Sequence, residues 1–182
     1  MFFYISWLAT EFYVLIVTRT RRGGGHISDR GSLTALWVTI VCSMSLGGYF
    51  QDAHSSSAFH NAEWLKPVAL AVLMVGLAIR WAAIYSLGRS FSANVAIHAT
   101  QKLNRSGLFH YVRHPSYSGL LLLFLAVGLR TRNWLSLLLM TVPPIIALLY
   151  RIRVEEDALI AAFGDDYLDY IRTTPRLIPG IF

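Results

Sequence analysis

Long uninterrupted apolar runs constrain this chain more than any motif does. A helix needs about 20 largely apolar residues to cross a hydrocarbon layer about 30 Å thick, and inside that layer every backbone polar group must be satisfied within the helix. Five stretches meet or approach that length: about 2–18, 33–50, 67–87, 116–130 and 133–150. Only 14% of the residues are charged, against about a quarter in an ordinary soluble domain, and mean hydropathy is +0.50. The expected fold is therefore all-α: a polytopic membrane protein with about five transmembrane helices, forming a single domain over 1–182 with no room for a separate soluble one.

Local signals refine these spans. The first reads as a retained span rather than a cleaved signal, because Glu11 lies within it and Arg19, Arg21 and Arg22 follow it instead of preceding it. Pro67 suits the first turn of the third span, where its missing N–H costs nothing. Pro143 and Pro144 fall inside the fifth and should kink it. The short polar link around Arg130, Arg132 and Asn133 predicts an antiparallel helical hairpin.

The net charge of +6 reports orientation. With five spans, Arg19, Arg21, Arg22, Arg30, Arg89, Lys102, Arg105, Arg113, Arg151, Arg153, Arg172 and Arg176 share one side. Lys66, Arg130 and Arg132 lie on the other, and Arg80 is within span three. The positive-inside rule then puts the N-terminus outside, and the long third loop and the C-terminal tail in the cytoplasm. A nucleic-acid partner is disfavoured, because the charges flank spans and form no reading motif. Cys42 is the only cysteine, so an internal disulfide and a cysteine-based metal site are excluded. His54 and His60 lack a third ligand at metal spacing, and no metal is expected. Gly23-Gly24-Gly25 lacks the context of a phosphate loop and reads as a connector. Glu11 and Arg80 are costly within spans; function and, for Arg80, snorkelling to the interface both remain open. No Gly-x-Gly-x-x-Gly occurs, so a soluble Rossmann-type enzyme is not supported.

Polar residues outside the spans concentrate in 88–119 and 151–182, both on the same face, where they can form one pocket over the bundle. In Arg113-His114-Pro115-Ser116-Tyr117, Pro115 disfavours a helical His114 and starts span four. The free N–H groups of that helix start form an expected anion site to which Arg113 and His114 add donors. On local physics alone a membrane-interface cap is the stronger reading of this run. Arg151 and Glu155 are four apart on one helical face. They make either a weak surface salt bridge or a ligand pair in which Arg151 binds an anionic group and Glu155 an ammonium. As an isolated run, Glu155-Glu156-Asp157 is usually a solvated face.

Taken together, several elements resemble the isoprenylcysteine carboxyl methyltransferase family of integral membrane enzymes. They are Leu87-Gly88-Arg89-Ser90-Phe91-Ser92, Ser106-Gly107-Leu108-Phe109, and Arg113-His114-Pro115-Ser116-Tyr117-Ser118-Gly119. The tail adds Arg151, Glu155-Glu156, Leu159, Phe163-Gly164-Asp165-Asp166-Tyr167-Leu168-Asp169-Tyr170 and Pro175-Arg176-Leu177-Ile178-Pro179. The resemblance covers about 67–182, while 1–66 matches only as two hydrophobic spans. It implies S-adenosyl-L-methionine as methyl donor, with S-adenosyl-L-homocysteine as product, under a cytoplasmic cover made by the third loop and tail. It implies cofactor contacts at His114, Pro115, Ser116, Tyr117, Leu103 and Phe109, an ammonium partner in Glu155, and Arg151 as the residue that positions the substrate carboxylate. Phe109 stands where the family often has tyrosine, and His98 is the candidate substitute for a family glutamine.

The implied activity is methyl transfer to a lipid-linked acceptor that enters from the bilayer, most simply the carboxylate of an isoprenylcysteine. A carboxylate is ionised at neutral pH, so attack on a sulfonium methyl needs alignment and a dry site rather than a general base. A phospholipid or amine N-methyltransferase is the nearest alternative. A non-enzymatic membrane scaffold or transport-related protein is the alternative of another class.

Overall fold

A computed structural model of the protein describes residues 26–27, 31–53, 55–88, 96–97 and 103–181. The expected span at 2–18, Glu11, the glycine-rich connector, His54 and His98 lie outside the described residues. The helices are α1 (Ser32–Ala53), α2 (Leu65–Leu87), α3 (Leu108–Tyr111), α4 (Pro115–Arg130), α5 (Trp134–Phe163) and α6 (Asp165–Thr173). The all-α expectation holds, with one small addition. A two-residue antiparallel ladder pairs β1 (His26–Ile27) with β2 (Ala96–Ile97), setting His26 opposite Ile97.

Three of the helices, α1, α2 and α5, are long and apolar enough to cross a membrane, and α4 is a shorter apolar helix. The expected span starts agree with these elements to within two residues. The end of the fifth span does not. Instead of giving way to a tail at Arg151, α5 continues to Phe163 and is 30 residues long. At 1.5 Å per residue it measures about 45 Å, about 15 Å more than a hydrocarbon layer. Residues 151–163 hold no proline or glycine and include three alanines, all compatible with helix. The helix stops at Gly164, whose φ of +54° an L side chain rarely adopts. Pro143 and Pro144 are accommodated within the continuous helix.

α4 lies at the centre, packed against α2 on one side and α5 on the other, while α1 packs against α5. Leu123, Phe124 and Val127 of α4 are completely buried and meet Leu73 of α2, Leu148 and Ile152 of α5, and Leu36 and Ile40 of α1 in one core. Large apolar side chains also cover the outside, among them Val41, Leu70, Met74, Val75, Val142 and Ile146. An outward apolar face on core-forming helices is what a lipid solvent requires.

The α2–α4 crossing is close because both helices present glycine. A Cβ on Gly119 would stand 2.7 Å from the Gly76 carbonyl oxygen and 2.8 Å from the Arg80 backbone nitrogen. Small residues allow such approach in membrane helices, where van der Waals packing rather than water exclusion drives association. The α4–α5 hairpin is closed at the other end of the bundle by the predicted turn. Asn133 caps α5 by accepting from the Ser136 N–H at 3.0 Å, and Phe59 N–H donates to Arg132 O at 2.8 Å. Glu63 pairs there with Lys66 and Arg132.

Gly119→Ala should lower stability by about 1–3 kcal/mol through overpacking against backbone that cannot yield. Gly48→Ala, whose added methyl meets nothing within 4 Å, should leave it nearly unchanged. Thermal unfolding of both variants in detergent checks this, and equal midpoints would show that the α2–α4 approach is not tight.

Candidate functional site

The site gathers where α4 begins, where α5 overshoots the apolar layer, and where the chain returns after α6. As expected, α4 starts at Pro115, with His114 non-helical before it at φ −125° and ψ 60°. The expected anion site does not form, because the donors are already used. Arg113 N–H and His114 N–H donate to Pro175 O and Arg176 O at 2.9 and 3.0 Å, and Tyr117 and Ser118 N–H both donate to His114 O. Pro115 has no N–H, so Ser116 alone retains an N–H without a partner among the described residues. The tail therefore covers the segment before the helix with its backbone carbonyls, reinforced by Ser118 Oγ donating to Leu177 O at 2.6 Å.

Glu156 holds this arrangement together. It is buried, not part of a solvated acidic face. Arg113 donates to its Oε1 through Nε at 3.1 Å and Nη2 at 3.0 Å, and Arg176 donates to Oε2 through Nη2 at 2.6 Å. His114 Nε2 stands 3.2 Å from the same carboxylate. One carboxylate thus ties α5 to the start of α4 and to the tail. Arg113 also donates through Nη1 to Ile171 O and Thr174 O at the end of α6, which fixes that helix to the same point.

Glu155, next along the helix, faces a different set. Tyr117 OH donates to its Oε2 at 2.7 Å, and Arg151 Nε donates to Tyr117 OH at 3.0 Å. Arg151 and Glu155 are therefore joined through Tyr117, a geometry neither weighed alternative anticipated. Arg151 is almost wholly buried and donates through Nη1 to Ser32 Oγ at 3.0 Å, which brings α1 into the site. Glu155 keeps 28% side-chain exposure, and its Oε1 stands 3.9 Å from His114 Nδ1, beyond hydrogen-bond length. The His114 and Tyr117 rings stack at 5.7 Å.

The remaining candidates divide. Arg80 is buried rather than snorkelling, and its Nη1 donates to Ser116 O and Oγ at 3.2 and 3.1 Å. That bond depends on the glycine crossing one turn further along α4. Pro115 and Phe109 are buried, and the Phe109 carbonyl accepts from Tyr170 OH. Burial pushes the Tyr170 phenol up to about 12, so it stays a protonated donor. Arg105 sits 5.6 Å from the centre of the Tyr170 ring. Leu103 is half-buried in the coil before α3.

Sequence reasoning missed Glu156 as the centre of the cluster, although a signal was present. Pro144, Leu148, Ile152 and Glu156 recur every four residues, and all four are buried. A carboxylate continuing a core stripe calls for a buried cation.

A bundle of apolar helices with a buried ionic site at one end defines an integral membrane protein. The model of the isoprenylcysteine carboxyl methyltransferase family matches residues 69–161, which include the helix start, the glycine crossing and the Arg151–Glu156 stretch. Protein-S-isoprenylcysteine O-methyltransferase B of Arabidopsis thaliana is 25% identical over 100% of this chain and 92% of its own length. The Schizosaccharomyces pombe protein-S-isoprenylcysteine O-methyltransferase is 36% identical over 62% of this chain and 49% of its own. The solved structure of the eukaryotic intramembrane Ras methyltransferase ICMT aligns with a TM-score of 0.62 and 26% identity, over 85% of this chain and 55% of that one. The chain belongs to the isoprenylcysteine carboxyl methyltransferase family.

Glu156→Gln should destabilise the fold by about 3–5 kcal/mol by leaving the buried Arg113 guanidinium uncompensated. It should also speed hydrogen exchange at the Arg113 and His114 amides, which the tail carbonyls hold. Exchange unchanged in that variant would show that the tail docks without Glu156.

Proposed function

We propose that this chain moves a methyl group from S-adenosyl-L-methionine to the carboxylate of a lipid-linked, isoprenylcysteine-type acceptor. The observation that carries the reading is the Arg151–Tyr117–Glu155 chain of hydrogen bonds, which sets a buried cation and a partly open carboxylate on either side of one phenol.

The donor set suits an amino-acid sulfonium ligand. The Glu155 carboxylate keeps 28% side-chain exposure and can accept from an ammonium, and the stacked His114–Tyr117 rings offer a flat, polarisable wall. Glu155, His114, Pro115, Ser116 and Tyr117 would hold the methyl donor, with Leu103 and Phe109 supplying apolar contacts. When bound, S-adenosyl-L-methionine supplies an electrophilic methyl group and leaves as S-adenosyl-L-homocysteine. Arg151 receives the acceptor carboxylate, with its own position set by Ser32 and Tyr117. That carboxylate is already ionised at neutral pH, so the protein's task is alignment in a water-poor site, and no general base is needed.

The site's placement agrees with two routes of access. It lies where α5 leaves the apolar layer, so a water-soluble methyl donor can arrive from one side while a lipid chain stays in the bilayer. By the positive-inside rule, the distribution of basic residues in the sequence supports a cytoplasmic site with the N-terminus outside.

Glu155→Ala should weaken S-adenosyl-L-homocysteine binding in calorimetry by about tenfold or more, as expected for loss of a charge-assisted bond. Arg151→Ala should retain that binding yet lower turnover of a prenylcysteine carboxylate on the order of a hundredfold. Wild-type affinity in the first variant would remove Glu155 from the site. Full turnover in the second, or transfer to an amine lipid that ignores Arg151, would favour amine methylation instead.

A further inference from the structure

α6 carries a buried polar group that the mechanism above does not use. Tyr167 is 1% exposed, and its hydroxyl is buried with no hydrogen-bond partner among the described residues. Its neighbour Tyr170, packed edge-on with ring centres 5.9 Å apart, spends its own hydroxyl on Phe109 O. An unsatisfied buried hydroxyl is costly, and phenylalanine would fill the same space without that cost. Burial pushes the Tyr167 phenol pKa up, Glu156 and Glu155 push it the same way, and Arg113 opposes them. The group is thus a protonated donor inside the field of the residues that build the site, lacking an acceptor.

We infer that the Tyr167 hydroxyl is a further contact for the methyl donor, donating to the carboxylate of its amino-acid end. The inference rests on the methyl-transfer reading, which assigns the ligand's ammonium to Glu155. In an α-amino acid the ammonium and carboxylate share one carbon, so a ligand held at Glu155 brings its carboxylate into the same neighbourhood. A carboxylate arriving beside Glu155 and Glu156 needs a donor to offset repulsion. Arg113 already serves Glu156 and two carbonyls of α6 and the tail. Tyr167 provides an uncharged donor, and α6 is anchored at both ends. Its C-terminal end meets Arg113, and Asp166 O accepts from Arg105.

The test compares Tyr167→Phe with the wild type in two measurements on the full chain in detergent. Without ligand, the variant's thermal midpoint should be unchanged or raised, because a partnerless hydroxyl has been removed. Calorimetry should show about tenfold weaker binding of S-adenosyl-L-homocysteine, and unchanged binding of 5′-methylthioadenosine, which lacks the amino-acid end. A lowered midpoint or failure to fold would overturn the inference by showing that the hydroxyl already has a structural role. So would equal affinity for S-adenosyl-L-homocysteine, or equal weakening of both ligands. Wild-type protein that is folded but binds neither ligand would instead bring down the methyl-transfer reading, and this contact with it.

Discussion

The ion cluster on Glu156 decides whether this end of the protein exists as one unit. Three segments far apart in sequence meet on that side chain: Arg113 and His114 before α4, α5 itself, and Arg176 in the tail. Burial of a lone carboxylate is costly, and here two guanidinium groups and an imidazole oppose that cost. The geometry also uses the backbone. With Arg113 and Arg176 drawn to one point, the peptide groups of 113–114 and 175–176 come into register and pair. The helix start that might have bound a free anion is thereby closed by the protein's own carbonyls.

Two features below the cluster put it in position. Gly76 and Gly119 let α2 and α4 approach closely, which brings Arg80 under Ser116 and supports the first turn of α4 from the membrane side. α5 is longer than the apolar layer it crosses, so one rigid helix carries Leu148 in the core, Arg151 beneath Tyr117, and Glu155 and Glu156 above it. A pair of side chains on a continuous helix inherits its spacing from helical geometry, and no loop has to hold it.

The parts of this arrangement that follow from local or solvent constraints could be read from the sequence. Apolar runs revealed the helices because the bilayer allows few alternatives, and Pro115 marked the start of α4 because it restricts the residue before it. Arg151 and Glu155 were legible as neighbours on one helical face. The link between them was not, because Tyr117 lies 38 residues before Glu155. Glu156 reads as solvated in the sequence because its partners lie 43 and 42 residues before it and 20 after it; the one local hint is the four-residue recurrence from Pro144. The N–H groups of Arg113 and His114, expected to serve an anion, were unreadable for the same reason, since the acceptors that occupy them belong to residues 175 and 176. The fifth apolar run ends at its first arginine, where charge marks the edge of the apolar stretch but not the end of the helix.

On the proposed methyl-transfer reading, the tail holds the residues of the site in place rather than trailing from it. The most direct measurement is S-adenosyl-L-homocysteine affinity for a chain ending at Thr173, with helical content followed by circular dichroism. The account predicts that helices persist while binding is lost, because residues 174–177 no longer hold Arg113, His114 and Glu156 in place. Wild-type affinity in the shortened chain would contradict it.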